Sequence, residues 1–305
     1  MTKPILVTSA AGGKGGKTGR RVAELLLERG VPVRAFVRTI DERSDQLKAL
    51  GAEIFEGDFL DIRSVKRAVS GVSSVYFAYP VQDGVVGATG AMAVAAREEG
   101  ITRLVNLVML QSSVEAPTPR MRENYLSEQI FEWAGVGVVH VRAAVFYENL
   151  GSLVRQSIPA QGAIRLPWGK EDTVFPMVAG EDVARVSAGL LTSPSLIAGT
   201  AYRLIGATIP LKEIIATYGR VLGRNIGYQE ITDDQWRSDV QERGYNKHAI
   251  EHLSSLWKAL RNLGVGAEKA RFAVTEAIEK IGGAKPTTLE AFVRQGQNEL
   301  VAKSA

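Results

Sequence analysis

The sequence lacks cysteine, has only three histidines and contains no long hydrophobic run. Without cysteine the chain forms no disulfide, thiolate nucleophile, zinc finger or iron–sulfur cluster. Three histidines leave little material for a multi-histidine centre, so we expect no metal site. No apolar stretch approaches the roughly 20 residues of a membrane span, and the run that begins at Ile5 is too short for a signal peptide. We therefore expect a cytoplasmic protein that does not bind membranes.

The composition is that of a folded globular protein, because 45% of the residues are hydrophobic and 23% are charged. At roughly 150 residues per domain, a chain of 305 residues corresponds to about two domains. The net charge is +4, and the basic residues are scattered. This distribution argues against a nucleic-acid track. It fits an anionic small ligand, and equally a role in solubility alone.

The first half of the chain alternates short apolar runs with helical patterns, which is typical of parallel βαβ units. The predicted strands cover residues 4–8, 31–37, 53–55, 74–78, 103–110 and 137–143. The predicted helices cover residues 20–29, 45–50, 61–69, 86–99 and 122–133. The predicted fold class is therefore α/β, a doubly wound parallel sheet.

After Phe146 helical patterns dominate. They cover residues 181–191, 211–222, 232–242, 247–260, 267–281 and 288–301, with short extended pieces at 201–205 and 226–229. We predict a first domain over residues 1–150 that binds a nucleotide cofactor. A smaller, mostly helical lobe over residues 151–305 would bind substrate, and its elements are free to interleave with the first domain.

A glycine-rich loop separates the first predicted strand from the first predicted helix. It reads Ser9-Ala10-Ala11-Gly12-Gly13-Lys14-Gly15-Gly16-Lys17-Thr18-Gly19. Gly13, Gly16 and Gly19 form a GxxGxxG pattern, about four residues longer than the compact dinucleotide motif. Glycines let the backbone approach a pyrophosphate, which the helix N-terminus then binds through free N–H groups. The predicted cofactor contacts in this loop are Ser9, Gly12, Gly13, Gly16, Lys17, Thr18 and Gly19.

Two other interpretations of this loop remain open. Ala11-x4-Gly16-Lys17-Thr18 fits a relaxed P-loop, in which Lys17 would bind the terminal phosphates and Thr18 would bind magnesium. A P-loop enzyme also needs an Asp at a strand end, and Asp58 is the one candidate. The third interpretation is a flexible loop without a ligand.

The residue after the second strand indicates which cofactor is bound. An acidic residue about 20 positions after the glycines favours NAD(H), whereas an arginine accommodates the 2′-phosphate of NADP(H). Arg38 lies nineteen residues after Gly19, and Lys17 or Arg43 would assist it. We therefore predict NADP(H), with NAD(H) as the alternative. Without a phosphate to bind, Arg38 would be a solvated charge.

Asp58 follows the third predicted strand and is a candidate for the adenine amino group, with Phe59 against the ring. Its alternative role is to cap the next helix, which Asp61 fits better. Tyr79, at the end of the fourth strand, completes the predicted cofactor contacts.

Several motifs occur in the same order as in a known family. They are the glycine loop, Gly57-Asp58, residues 142–150, Phe175-Pro176 with Glu181-Asp182-Val183-Ala184, Tyr202-Arg203-Leu204-Ile205-Gly206 and Leu222-Gly223-Arg224. As a set they resemble the NmrA-like atypical short-chain dehydrogenases/reductases. The resemblance implies a Rossmann domain with NADP(H) across the strand ends and a substrate cleft beside a small C-terminal lobe. Members of the family include quinone and triphenylmethane-dye reductases, redox-sensing regulators and enzymes that tailor aromatic metabolites.

The catalytic residues of the wider superfamily are absent. Tyr125 is followed four residues later by Gln129, not lysine, and Val108-Met109 stands where relatives carry serine. Family reductases often place a histidine where this chain has Asn124. A tyrosine with a pKa near 10 is a poor acid–base catalyst at neutral pH. We therefore expect hydride delivery to an acceptor that needs little proton assistance, such as a quinone or a cationic dye.

Three residues are candidates for catalysis. Asn124 and Glu128 lie one helical turn apart on the same face, and Tyr147 follows the sixth strand. Glu128 would bond the nicotinamide region or the substrate, or would be a solvated helix charge. The predicted substrate contacts are Met109, Gln111, Phe146, Tyr147, Asn149, Trp168 and Phe175. Core packing is the stronger prediction for at least half of the aromatic residues, and Ser112 and Ser113 fit an ordinary loop equally well.

The histidines suggest one further motif. His248, Glu251 and His252 spell H-x-x-E-H, an inverted zinc-protease signature. No third ligand is evident after it, so a chance match on a surface helix is the better interpretation. His140 lies in a buried type of strand, where we expect a core residue with satisfied hydrogen bonds.

Three functions stay open at this stage. The first is an NADPH-dependent reductase of a quinone or another flat aromatic electrophile. The second is a redox sensor that binds NADP(H) without turnover and has a regulatory protein partner. The third is a tailoring enzyme, an oxygenase included, for an aromatic polyketide. For the reductase the partner is a small aromatic substrate, and a homodimer is left open.

Overall fold

The computed structural model describes residues 2–13, 18–262 and 272–300. Gly16 and Lys17 lie outside the described residues, as do the beginning of the helix predicted over 267–281 and Val301. The contacts divide the chain into two units. Unit 1 comprises Met1–Ala143, Gly180–Leu204 and Glu276–Ala284, and unit 2 comprises Ala144–Ala179, Ile205–Thr275 and Lys285–Ala305. The two-domain division at residue 150 stays a prediction.

Strands and helices alternate through the first part of the chain, as predicted. The strands are β1 (Ile5–Val7), β2 (Val33–Val37), β3 (Glu53–Glu56), β4 (Ser74–Phe77), β5 (Leu104–Met109), β6 (Val138–Ala143), β7 (Val145–Phe146), β8 (Ala163–Leu166), β9 (Val174–Val178), β10 (Ala201–Leu204), β11 (Ala207–Pro210) and β12 (Gly227–Glu230). The helices are α1 (Thr18–Glu28), α2 (Glu42–Ala49), α3 (Ile62–Val69), α4 (Val85–Glu98), α5 (Pro119–Ala134), α6 (Tyr147–Gln161), α7 (Gly180–Thr192), α8 (Leu211–Leu222), α9 (Asp233–Glu242), α10 (Lys247–Asn262), α11 (Ala277–Gly282) and α12 (Leu289–Gly296), with a 3₁₀ turn at Gln297–Glu299. None of these described helices is long and apolar enough to cross a membrane.

Unit 1 is built on seven parallel strands in the order β3-β2-β1-β4-β5-β6-β10. The strand order reverses at β1, since β2 and β3 lie on one side of it and the later strands on the other. Parallel neighbours require crossover connections, and the helices between the strands supply them. The predicted doubly wound sheet is therefore confirmed. In such a sheet ligands bind at the carboxyl ends of the strands, where the order reverses.

The helices of unit 1 cover the sheet with small and branched apolar side chains. Helix α1 buries the predicted apolar face, which consists of Val22, Ala23, Leu25 and Leu26. Its partner strand β1 has no exposed residue. Since full burial of a valine or leucine contributes roughly 1.5–3 kcal/mol, this packing holds the glycine loop between two rigid elements.

Unit 2 contains a three-stranded sheet in the order β11-β9-β7 and a parallel pair of β12 and β8. β11 runs antiparallel to β9, and β7 runs parallel to it. The helices predicted over residues 211–222, 232–242 and 247–260 are confirmed as α8, α9 and α10. Aromatic rings form part of the core, because the Trp168 centroid lies 4.2 Å from that of Phe175 and 5.1 Å from that of Trp257.

Several elements after residue 144 differ from the sequence predictions, β7, β8 and β11 among them. Helix α6 was not predicted, because Gly151 and Pro159 lie within it and both disfavour helix. The helix predicted over 267–281 is wrong at residues 272–276, which are not helical. Strand β9 was missed because it contains Pro176, and proline cannot donate to a sheet ladder.

Candidate functional site

The glycine loop begins where β1 ends and leads directly into α1. A Cβ atom on Gly19 would lie 2.5 Å from the carbonyl oxygen of Thr8 and 2.8 Å from that of Ser9. No side chain tolerates so close a backbone contact, so the position requires glycine. Gly12 adopts a φ of 70°, which also favours glycine. The helix N-terminus therefore approaches the end of β1 as closely as a dinucleotide fold requires.

Hydroxyl groups tie the end of β1 to the end of β4. The Thr8 Oγ1 accepts the Ala78 N–H at 2.8 Å and donates to the Ala78 carbonyl at 3.2 Å, and the Ser9 Oγ donates to the same carbonyl at 2.7 Å. Ser9 adopts a φ of 53°, uncommon for a residue other than glycine. These bonds hold the two strand ends at the reversal of strand order, which is where a ligand is expected.

Charged residues follow β2. Arg38 is exposed and forms no ion pair or hydrogen bond with another described residue. Arg43 lies at the start of α2, where its Nη1 donates to the Gly12 carbonyl at 2.8 Å. Its Nε and Nη2 donate to the Asp41 carboxylate, with an Nη2–Oδ2 distance of 2.5 Å. The Arg43 guanidinium keeps the pKa of Asp41 below its usual value. Arg43 therefore links α2 to the glycine loop.

The residues after β3 divide into a cap and a free carboxylate, as predicted. Asp61 is the N-cap of α3 and accepts the Arg63 N–H at 3.0 Å. Asp58 is exposed, and among the described residues its carboxylate accepts only the Leu60 N–H, at 2.9 Å. The half-buried Phe59 ring lies 4.7 Å from that of Phe36 and 5.5 Å from that of Tyr79. This row of rings forms one wall beside Asp58.

One buried cation near Tyr79 was missed by the sequence analysis. Arg120, only 3% exposed, donates from Nη2 to the Tyr79 carbonyl at 3.0 Å and from Nη1 to the Gln82 carbonyl at 3.2 Å. Its guanidinium lies 5.5 Å from the centroid of the Tyr79 ring. Burial lowers the pKa of Arg120 to about 10. The available signal was its place just after Thr118-Pro119, which begins α5 and fixes which way the residue points.

Asn124 is buried beneath the end of β5 and is bonded to the backbone. Its Oδ1 accepts the N–H of Met109 at 3.2 Å, and the residue is 3% exposed. In the loop that follows, Gln111 is half-buried, Ser112 is buried and Ser113 is exposed. The structure thus places Asn124 against Met109, one of the predicted substrate contacts, and the catalytic role of Asn124 stays a prediction.

Glu128 is not a solvated helix charge, so that alternative is wrong. It is 1% exposed, and its carboxylate accepts the Arg142 Nε and Nη2 at 2.8 and 2.7 Å. The paired bonds raise the pKa of Arg142. Arg142 lies on β6. The position of Glu128 on its helix does not reveal that this strand carries its partner. The pair satisfies a buried charge that would otherwise be costly.

A second polar chain lies between α5 and the sheet. Asn106 Nδ2 donates to His140 Nδ1 at 3.3 Å, and the His140 Nε2 lies 3.2 Å from a Glu132 oxygen. Ser127 accepts the Thr89 hydroxyl at 2.9 Å. His140 is buried, and burial lowers its pKa to about 4. It is the satisfied core histidine that the sequence predicted.

The predicted aromatic wall belongs to unit 2. Tyr147, Trp168 and Phe175 have no exposed surface, and Tyr147 lies 5.5 Å from Phe292 between ring centroids. Phe146 and Asn149 are half-buried. Core packing therefore accounts for Trp168 and Phe175, as expected for at least half of the aromatic set. The catalytic role of Tyr147 and the substrate contacts of the set stay predictions.

The H-x-x-E-H motif lies on α10. The Glu251 carboxylate is 3.3 Å from the guanidinium of Arg237, and His252 is buried. Across residues 2–13, 18–262 and 272–300, no group of three or more metal-binding side chains is found together.

A doubly wound parallel sheet with a glycine cradle at the reversal of strand order defines the class of dinucleotide-binding α/β proteins. Within that class the model of the NmrA-like family matches residues 1–293. The chain therefore belongs to the NmrA-like family, as the sequence motifs indicated.

Curated relatives and solved structures agree with this assignment. The chain is 32% identical to a (4-alkanoyl-5-oxo-2,5-dihydrofuran-3-yl)methyl phosphate reductase from Streptomyces griseus, over 78% of this chain and 81% of the relative. It is 23% identical to an NAD(P)H azoreductase from Xenophilus azovorans, over 92% and 94% of the two chains. An Escherichia coli NADPH-dependent quinone oxidoreductase, solved with NADPH, has a similar fold with a TM-score of 0.81 and 20% identity, over 96% of this chain and all of the other.

Proposed function

We propose that this chain is an NADPH-dependent reductase that reduces a quinone or another flat, conjugated electrophile. The observation that carries the proposal is the cradle at Gly19, where a Cβ would lie 2.5 Å from the Thr8 carbonyl oxygen. That cradle lies at the reversal of strand order, with two arginines beyond the next strand. The names of the reductases to which the chain is similar support the same activity.

Several of the predicted cofactor contacts that lie in the described residues can be given a role. Gly12 and Gly19 would let the backbone approach the pyrophosphate, and Arg38 would pair with the 2′-phosphate. Asp58 would accept from the adenine amino group, beside Phe59 and Tyr79. Arg120 would act on the same region indirectly, since it holds the backbone of Tyr79. The chemistry that the cofactor supplies when bound is hydride transfer.

The described residues offer little help with protons. The oxygen of Asn124 is bonded to the Met109 N–H, and both oxygens of Glu128 are bonded to Arg142. Such a site favours an acceptor whose reduced form is stable as an anion or takes its proton from water, as a quinone does. Conjugated lactones and azo compounds belong in the same test, because the chain is similar to reductases named for them.

The same observation favours a second candidate. Because Asn124 and Glu128 are engaged by internal bonds, a redox sensor that binds NADP(H) without turnover also fits. Such a protein would act through a regulatory partner.

The test is the loss of NADPH absorbance on mixing purified protein with quinones, an azo dye and a conjugated lactone, with NADH in parallel. We expect oxidation that scales with protein and prefers NADPH. No oxidation with any acceptor, together with NADPH binding shown by fluorescence, would replace the reductase with the sensor.

The variant Arg38→Asp tests the cofactor assignment. We expect the Kd for NADPH to rise at least about tenfold while that for NADH changes little, because a charge-assisted phosphate contact is lost. Arg29→Asp, at the opposite end of α1, makes the same change of charge and should leave both constants unchanged. An equal loss of NADPH and NADH affinity in Arg38→Asp would remove Arg38 from the 2′-phosphate site.

A further inference from the structure

We propose that Asp41 limits the preference of this chain for NADPH over NADH, by binding and neutralising Arg43 beside the glycine loop. The inference rests on the proposed function, since it concerns selectivity at the same cofactor site. Arg38 would favour NADPH over NADH, and the Asp41 carboxylate would reduce that preference.

Asp41 and Arg43 are held in a defined geometry. Asp41 is the N-cap of α2, and its Oδ1 accepts the backbone N–H of Arg43 at 2.9 Å. Its two oxygens also accept the Arg43 Nε, at 3.2 and 3.0 Å, and Oδ2 accepts Nη2 at 2.5 Å. On its other side the guanidinium donates from Nη1 to the Gly12 carbonyl at 2.8 Å. The cation is thus placed at the glycine loop but is paired with an anion.

Arg43 retains donors for a ligand. A guanidinium carries five N–H groups, and the bonds to Asp41 and Gly12 engage the Nε group and one on each terminal nitrogen. One N–H on Nη1 and one on Nη2 are left. Arg43 can therefore meet a phosphate oxygen without releasing either partner.

The electrostatic balance, not the number of donors, sets the limit. A phosphate monoester carries about −1.5 to −2 charges at pH 7. The Asp41 carboxylate cancels the charge of Arg43 and repels such a group. Arg38, for which no ion pair with a described residue is found, then provides the main positive charge for the phosphate. NADH carries a hydroxyl at this position, and a carboxylate accepts a hydrogen bond from a hydroxyl. Asp41 therefore opposes NADPH and tolerates NADH.

The test compares five variants with the wild type by fluorescence titration of NADPH and NADH. Asp41→Asn keeps a good N-cap and removes the charge. We expect NADPH to bind about three- to tenfold more tightly and NADH to bind no more tightly, with a gain that shrinks as salt is raised from about 0.05 to 0.5 M. Asp41→Ser, which also caps helices, repeats the test should the asparagine variant melt early.

Glu42→Gln is the matched control. Glu42 is the next residue, and its exposed side chain bonds to no other described residue. Its substitution therefore changes the local charge equally without touching Arg43. We expect its NADPH affinity to change less than twofold. In the Arg43→Gln background, Asp41→Asn should no longer tighten NADPH.

Three outcomes would overturn the inference while leaving the proposed function intact. They are an unchanged NADPH-to-NADH ratio in Asp41→Asn, an equal gain in Glu42→Gln, and a gain that persists without Arg43. If the wild type bound neither cofactor, the proposed function and this inference would fall together. The two failures are therefore distinguishable from the wild-type titration alone.

Discussion

Two polar regions of unit 1 differ in how exposed their polar and charged side chains are and in what those side chains bond to. On the glycine-loop side, which comprises Gly12, Arg38, Arg43 and Asp58, the charged side chains are largely exposed. On the α5 side, which comprises Asn106, Asn124, Glu128, His140 and Arg142, nearly all are buried and bonded to one another or to the backbone.

This difference separates groups that are available to a ligand from groups that hold the protein together. An exposed arginine has little effect on stability but retains its hydrogen-bond donors. A buried carboxylate that is bonded twice to a guanidinium is committed to that partner, and its loss leaves the partner uncompensated. We therefore expect substitutions on the glycine-loop side to change binding, and those on the α5 side to change stability.

The largest expected effect is on the α5 side. Glu128→Gln should lower the free energy of unfolding by about 2–4 kcal/mol, because it leaves Arg142 without its anion in a largely buried place. The figure lies below that for a fully buried pair because the side chain of Arg142 is 28% exposed. Urea denaturation measures it, and the NADPH Kd of the folded variant should stay within twofold.

An exposed ion pair provides the control for Glu128→Gln. Lys66 and Glu98 are 2.5 Å apart, but each side chain is 52% exposed. Glu98→Gln should change stability by less than about 0.5 kcal/mol despite the shorter distance. Two results would show that Glu128 contacts a ligand and does not mainly stabilise the fold. One is a loss of unfolding free energy in Glu128→Gln no larger than that in Glu98→Gln. The other is a loss of cofactor binding without a loss of stability.

The next effect depends on pH. The folded pKa of His140 is about 4, below the ordinary value near 6.5, so the unfolded chain binds more protons between these values. Stability from this group is complete above pH 6.5 and declines as pH falls toward 4. Protonation of His140 should lower the free energy of unfolding by about 2–3 kcal/mol between pH 7 and pH 4.5.

The variant His140→Gln isolates this contribution. Gln keeps hydrogen-bonding capacity toward Asn106 but does not titrate, while all carboxylates remain common to both proteins. The stability difference between wild type and variant should therefore narrow as pH falls. A difference that is constant from pH 7 to 4.5 would show that His140 protonates equally in the folded and unfolded chains.

The candidates on the glycine-loop side follow from local sequence, whereas the contacts on the α5 side do not. The loop, Arg38 and Asp61 depend on local order along the chain, namely glycines before a helix, a residue at a strand end and a carboxylate at a helix start. Asp61 is the cap that this reasoning expects. Local spacing also places Asn124 and Glu128 on one helix face, correctly, but does not say which way that face points.

The remaining features depend on tertiary contacts. Glu128 is bonded to Arg142 on β6, and Arg120 is bonded to the loop after β4. Sequence spacing identifies neither partner, although Thr118-Pro119 marks Arg120 as a residue of the first turn of α5. At β9 of unit 2 the local signal misleads, because Pro176 lies in the middle strand of a sheet, where a proline is unexpected.

The smallest expected effects occur within four residues on the glycine-loop side, where Asp58 and Asp61 make the sharpest test of the comparison. Asp58→Ala should weaken NADPH and NADH equally, by about three- to fivefold, because the adenine is common to both, and should leave the Tm unchanged. Asp61→Ala removes the N-cap of α3 and should lower the Tm by about 2 °C with both affinities unchanged. If instead Asp58→Ala lowered the Tm and Asp61→Ala weakened binding, the carboxylate that faces the cofactor would be the helix cap. Bonding to a helix N-terminus would then no longer distinguish residues that stabilise from residues that bind.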